Sequence, residues 1–209
     1  MCAVIGYRSN SCTIKDLETI RRLFVESRIR GKHATGVSYL KDGKIFTIKE
    51  SIPADRFIKK HDPKDWVDNG SITFIGHCRY STSDLMYNQP IADSELSLVH
   101  NGVISQELPH NWSFIYGIEC ETRNDSELLF RTIKNGEPPS RWVGTSISCI
   151  WLTAENGIQY YRNGKRPLWK YEELDKLILT STKDIAYRAG IIHGTERVRT
   201  KERDLQPEL

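Results

Sequence analysis

Apolar positions along the chain fall into short runs broken by Gly, Asn and Pro, and the runs predict strands and helices in mixed order. Met1–Tyr7 is short and apolar and predicts a buried strand. Thr13-Ile14-Lys15-Asp16 forms a capping box and opens a helix with Leu17, Ile20, Leu23 and Phe24 on one face, stopped by Gly31. Val37–Leu40 and Lys44–Glu50 flank Asp42-Gly43, a strong hairpin signal. Ile58–Asp68 is expected to be a short helix or loop, and Ile72–His77 a second buried strand. Leu96–Val99 and Val103-Ile104 surround Asn101-Gly102 and predict another hairpin. Asn124–Glu127 starts a helix that carries Leu128, Leu129 and Ile133 and ends near Gly136. Ser146–Thr153, Gly157–Arg162 and Leu177–Ser181 read as strands, and Lys183–Arg188 as a short helix. There is no regular strand–helix–strand alternation, so the expected class is α+β with antiparallel sheets.

Composition narrows the function without naming it. The chain has 209 residues, 38% of them hydrophobic and 27% charged, with a net charge of +3. That is enough for a real core in one domain, without disulfide staples. It excludes a collagen-like chain, a coiled coil and a wholly disordered chain. Arg197, Arg199, Lys201 and Arg203 are the only concentrated basic cluster, read as a solvated tail, so nucleic-acid binding is not expected. The longest uncharged stretch, Trp142–Ala154, is too short and polar to span a membrane, and the N-terminus lacks a signal-peptide pattern. A cytoplasmic protein is therefore expected. Five cysteines with no C-x-x-C, and histidines without zinc spacing, point to neither a disulfide framework nor a metal site.

Four local features carry chemistry. Cys2 follows Met1, and removal of Met1 would place a free α-amine on the cysteine itself. Such an amine titrates at roughly 7.7–8.0 and can serve as a base for the adjoining thiol. Gly76-His77-Cys78-Arg79-Tyr80-Ser81-Thr82 puts an arginine and hydroxyls at a strand exit, a ready carboxylate clamp. His100-Asn101-Gly102 offers an amide N–H and an unobstructed backbone N–H, the donors of an oxyanion hole. Asp125, at a helix start, is placed either to cap the helix or to hold an ammonium. Each feature alone has a plain structural reading: a small buried cysteine, a salt bridge, a turn and a helix cap.

Taken together and in this order, the features resemble the class II glutamine amidotransferases, whose glutaminase domain has an N-terminal nucleophile. The resemblance rests on Met1-Cys2-Ala3-Val4-Ile5-Gly6, Arg30-Gly31-Lys32-His33-Ala34-Thr35-Gly36, the Gly76–Thr82 block, His100-Asn101-Gly102-Val103-Ile104 and Asp125-Ser126-Glu127. It extends to about residue 190, where Leu177–Ser181 and Thr182-Lys183-Asp184 resemble the family's closing strand. It implies a four-layer αββα sandwich of the N-terminal-nucleophile hydrolase type over residues 1–194, followed by a polar basic tail over 195–209. It also implies roles. Cys2 would be the nucleophile and its α-amine the base. Asn101 and Gly102 would stabilise the oxyanion. Arg79, assisted by Thr82, would bind the glutamine α-carboxylate, and Asp125 the α-ammonium. Arg30 and Gly31 would shape the wall near the nucleophile. No cofactor is implied.

Three positions depart from the family pattern. Ala3 stands where Gly is common, His33 where Asp is usual, and Ser83-Asp84 where relatives carry His or Ala and then Gly. The expected reaction is hydrolysis of the glutamine side-chain amide through a Cys2 thioester, giving glutamate and ammonia. Few residues follow the motif region, so a separate synthetase subunit is the expected ammonia acceptor. The alternatives are a stand-alone hydrolase of another γ-glutamyl or related amide, a Cys2 acylase, a non-catalytic module that keeps the fold, and a nucleic-acid-associated protein.

Overall fold

Two antiparallel sheets stack face to face, with helices on both outer surfaces. The computed structural model describes residues 2–81 and 87–200. In chain order the elements are β1 (Ala3–Ser9), α1 (Ile14–Ser27), β2 (Ala34–Lys41), β3 (Lys44–Glu50), α2 (Ala54–Lys60), β4 (Ile72–Arg79), β5 (Ile91–Ala92) and β6 (Leu96–His100). They continue with α3 (Trp112–Tyr116), α4 (Ser126–Lys134), β7 (Ser148–Thr153), β8 (Gly157–Arg162), β9 (Trp169–Glu173), β10 (Lys176–Thr180), α5 (Lys183–Arg188) and β11 (Glu196–Arg197). The larger sheet runs β11-β9-β10-β1-β4-β2-β3 and the smaller β5-β6-β7-β8.

The two-residue period of a strand sorts the core into three layers. Ala3, Ile5 and Tyr7 of β1 and Phe74 and Cys78 of β4 meet Ile20, Leu23 and Phe24 of α1, Phe57 of α2 and Ile185 of α5. Val4 and Ile75, on the opposite faces of the same strands, meet Val99, Ile150 and Leu152 of the smaller sheet. The outer face of that sheet, Leu96, Leu98 and Cys149, is covered by Trp112 of α3 and Leu128 and Leu129 of α4. The order of layers is helix, sheet, sheet, helix, as expected for an αββα sandwich. No helix among the described residues is long and apolar enough to cross a membrane. All five cysteines are free thiols.

Local expectations hold where the signal is local. Thr13 and Asp16 make the reciprocal capping box of α1. Asp42 and Gly43 both take positive φ, as a two-residue hairpin turn requires. The Asn101-Gly102 hairpin does not form. β6 pairs instead with β7, and the chain beyond it stays alongside residues 146–148: Asn101 N–H donates to the Ser148 carbonyl at 2.8 Å and Val103 N–H to the Ser146 carbonyl at 3.0 Å. The N-G signal is overridden by a distant strand that satisfies the same backbone groups. Helix α1 ends at Ser27, before Gly31. Inside the segment expected to be a polar tail, Glu196-Arg197 pair with β9, and Val198 is buried in the inter-sheet core.

Asp16 ties α1 to the sheet. It accepts from Tyr7 Oη at 2.5 Å, from Thr13 N–H at 2.8 Å and from Lys176 Nζ at 2.7 Å. Burial pushes its carboxyl up, but the bonds from Lys176, Thr13 and Tyr7 outweigh it and hold the pKa down at about 2. Asp16→Asn is expected to lower stability by about 2 kcal/mol at neutral pH, read by urea denaturation. The native carboxyl lies below its unfolded value, so its contribution is present above roughly pH 4 and is lost as pH falls through about 2. The gap between wild type and variant is expected to close over that interval.

Candidate active site

Cys2 lies at the end of β1 where the two sheets open. The ladder pairs Ala3 with Cys78 and Val4 with His77, so the residue before Ala3 is delivered to the exit of β4. Cys2 is half-buried, its Sγ is 3.9 Å from the Tyr80 carbonyl, and its own carbonyl accepts from Arg30 Nε at 3.0 Å. Burial lowers the pKa of the Arg30 guanidinium from its ordinary value. Arg30 thus holds the main chain of Cys2 from behind. Gly31, next to it, passes so close to β4 that a Cβ there would be 2.2 Å from the Cys78 carbonyl oxygen. Arg30 therefore holds Cys2 and Gly31 packs on the exit of β4, and neither is among the residues lining the cavity in front of Cys2.

That cavity has a volume of about 760 Å³, and its walls include Cys2, Arg79, Asn101, Gly102 and Asp125. They come from the start of β1, the end of β4, the segment after β6 and the start of α4, so the tertiary fold, not proximity in sequence, brings them together.

Asn101 is buried, with its backbone paired to Ser148 on both sides and its Nδ2 without a hydrogen-bond partner. At Gly102 a Cβ would be 1.7 Å from the Ser146 carbonyl oxygen and 2.6 Å from His100 Nε2, so no other residue fits this backbone. The pair presents an amide donor at a site shielded from water, the arrangement that stabilises a developing oxyanion.

Arg79 closes β4 and donates through Nη1 to the Tyr87 carbonyl and to Asn88 Oδ1, both at 2.8 Å. Asp125 precedes α4 but makes no side-chain cap. Its Oδ2 accepts instead from Ile104 N–H at 2.6 Å and Ser105 N–H at 3.2 Å. The cap-like bond comes from Asn124, whose Oδ1 accepts from Ser126 N–H at 3.1 Å. The helix-cap reading of Asp125 is therefore replaced: its carboxylate is turned to the cavity side of the 104–105 loop. Thr82 lies outside the described residues.

Behind Asn101 runs a buried polar network that joins His100 and Ser126 of the quoted motifs to Gln89, which lies in none of them. Gln89 Oε1 accepts from His100 N–H at 2.6 Å, and Gln89 Nε2 donates to Ser126 Oγ at 3.1 Å. Ser126 Oγ is also 2.9 Å from His100 Nδ1. Burial lowers the His100 pKa, so the ring is neutral and one nitrogen can accept. His77 is also buried at the cavity wall. Burial first, then the charges of Arg79 and His100, hold its pKa down at about 3, against the pull of the His100 carbonyl. Arg123, Arg166 and Glu107 complete the charged rim. Gln89 sits in a polar stretch without periodicity, and Arg166 in a turn, which is why neither stood out in the sequence. His33, the departure from the family's Asp, accepts from Ser81 N–H at 3.0 Å through Nδ1 and packs against the Tyr80 ring.

No protein-family model matches this chain, and no curated protein matches it. Solved structures do. Glutamine phosphoribosylpyrophosphate (PRPP) amidotransferase from B. subtilis, complexed with ADP and GMP, overlays with a TM-score of 0.68 at 19% identity, covering 95% of this chain. A structure described as the allosteric regulatory enzyme of purine biosynthesis overlays with a TM-score of 0.64 at 20% identity, again over 95% of this chain. The chain spans less than half of each, 45% and 44%. At this identity the likeness establishes architecture. The chain has an α+β, four-layer αββα fold, the architecture it shares with these two structures.

Proposed function

We propose that this protein is a class II glutamine amidotransferase that hydrolyses the side-chain amide of glutamine. The observation that carries the reading is the convergence of Cys2, Arg79, Asn101, Gly102 and Asp125 on one cavity, from four separate parts of the chain. The first structural neighbour is, by its name, a glutamine amidotransferase, which agrees with it.

In this reading the glutamine α-carboxylate meets Arg79 and the α-ammonium meets Asp125. Fixing both ends brings the γ-carboxamide to the Cys2 sulfur, and such positioning is worth several kcal/mol. The Cys2 α-amine, freed by removal of Met1, takes the thiol proton, and sulfur adds to the amide carbon. Asn101 Nδ2 and the Gly102 N–H hold the oxyanion, an interaction worth roughly 2.7–4 kcal/mol per donor in comparable sites. The amine passes the proton to the departing nitrogen, ammonia leaves and a glutamyl thioester remains. Water then releases glutamate. A separate synthetase subunit in the cytoplasm is the acceptor this reading expects for the ammonia.

Cys2→Ala is expected to abolish glutamate release without lowering the thermal midpoint, in a coupled glutamate assay alongside a melt. Residual turnover near the wild-type rate would end the assignment. Asp125→Asn keeps an oxygen for the Ile104 and Ser105 N–H groups but removes the charge. It is expected to raise KM for glutamine about tenfold with kcat changed less than about threefold, the pattern of lost uniform binding. Gly102→Ala is expected to eliminate activity, because the backbone must move away from Ser146. Glutamate release measured on protein shown to be folded by circular dichroism checks it.

A further inference from the structure

We propose that Gln89 is a positioning residue for the oxyanion donors Asn101 and Gly102, an inference that rests on the glutaminase reading above. The need for it arises at the edges of β6. Asn101 and Ser148 exchange both backbone bonds, Asn101 N–H donating at 2.8 Å and Ser148 N–H at 3.2 Å. The N–H of the preceding residue, His100, therefore points to the other edge of the strand. On that edge β5 pairs only Ile91 with Leu98 and Ala92 with Ser97. Continued by two residues, the same register would set residue 89 against His100. The main-chain carbonyl of Gln89 lies instead against β2, where a Cβ on Gly36 would be 2.2 Å from its oxygen. The side chain takes over the ladder: Gln89 Oε1 accepts from His100 N–H at 2.6 Å. Its Nε2 donates to Ser126 Oγ at 3.1 Å, at the first residue of α4, which fixes the other end of the amide. Gln89 is only 5% exposed and lies at the cavity wall.

What Gln89 holds is the segment that carries the donors. Asn101 and Gly102 follow His100 directly, and Asn101 Nδ2 has no hydrogen-bond partner, so the backbone that bears it, rather than a bond of its own, aims it. Ser146 and Ser148 fix that backbone from one edge, and Gln89 fixes it from the opposite edge. Donors to an oxyanion work only when they are in place before the charge develops, and a misplacement of about 1 Å can cost roughly a hundredfold in rate. Gln89 touches none of the reacting atoms in this reading and moves no proton. An oxyanion develops twice in the proposed cycle, when sulfur adds to the amide and when water adds to the thioester. Loosening its donors therefore slows both steps alike. Glutamine binding, assigned to Arg79 and Asp125, is left in place.

The test separates the donors from the nucleophile and from substrate binding. Gln89→Met keeps the length of the side chain and removes both of its hydrogen bonds. It is expected to lower kcat for glutamate release about tenfold or more, with KM for glutamine within about threefold of wild type, the pattern of an interaction made only in the transition state. Alkylation of Cys2 by iodoacetamide is a displacement at saturated carbon and puts no charge on a carbonyl oxygen. Its rate, read by mass on the Cys2 peptide, is expected to stay within about twofold of wild type. A variant that keeps the wild-type kcat, that loses activity through KM, or that loses alkylation in step with kcat overturns the proposal. If Gln89→Met fails to fold, Gln89→Leu carries the same comparison, and failure of both to fold assigns Gln89 to the structure alone and overturns the proposal as well. A wild-type protein that releases no glutamate from glutamine is a different result: it defeats the glutaminase reading first, and this proposal with it.

Discussion

Strand β1 is covered on both faces, and that double burial determines where Cys2 can be. Ala3, Val4, Ile5 and Tyr7 are all fully buried, alternating between the α1 side and the inter-sheet side. Antiparallel partners on both edges, β4 and β10, leave the strand no freedom to slide, because a one-residue slip would turn every side chain to the wrong layer. Each fully buried aliphatic side chain in this strand contributes roughly 1.5–3 kcal/mol. A side chain just outside the end of a strand would ordinarily be among the more mobile groups in a protein. Here Cys2 is the first residue outside a strand that is locked from four directions, and Arg30 holds its carbonyl as well.

The second requirement is close approach of backbones. An oxyanion site needs donors held in place before the charge develops. The segment from Asn101 to Val103 is clamped against residues 146–148 by paired backbone bonds, and Gly102 lies where any side chain would strike Ser146. The Gln89–Ser126–His100 network then packs behind it. One side of the proposed oxyanion site, Asn101 and Gly102, therefore follows a strand of the smaller sheet, while Cys2 precedes a strand of the larger. The cavity lies at this end of the sandwich, and the packing of Val4 and Ile75 on Val99 and Ile150 sets the spacing between Cys2 and the Asn101-Gly102 segment.

Most of the larger elements were legible because their signals are local. The capping box at Thr13, the Asp42-Gly43 turn and the apolar run of β4 each depend on residues within a few positions of one another. What was not legible depends on distant partners. Asn101-Gly102 carries a strong hairpin signal, yet its backbone groups are taken by Ser146 and Ser148, which lie more than forty residues later. Strand β9 has half-exposed residues and Pro167 just before it, and its identity as a strand comes from pairing with β10 and β11. Asp125 looked like a cap because it precedes a helix, but its oxygen is taken by two N–H groups of a loop twenty residues earlier. The residues with chemical character were visible by type and order. Their supporting partners, Gln89 and Ser126, are ordinary polar residues whose importance comes only from where the fold places them.

Asn101 Nδ2 is one of several buried polar atoms without a hydrogen-bond partner, and it lies where the chemistry is proposed. The neighbouring Gln89, Ser126 and His100 bond to one another. An unpaired buried donor or acceptor costs roughly 1–3 kcal/mol. A fold with only stability to satisfy could remove that cost by closing the donor onto a nearby polar group, as Gln89 and Ser126 close onto His100 and onto each other. An amide carbonyl that becomes an oxyanion in the proposed reaction suits the unpaired Asn101 donor. A donor fixed by the fold before charge develops needs no reorganisation when the oxyanion forms.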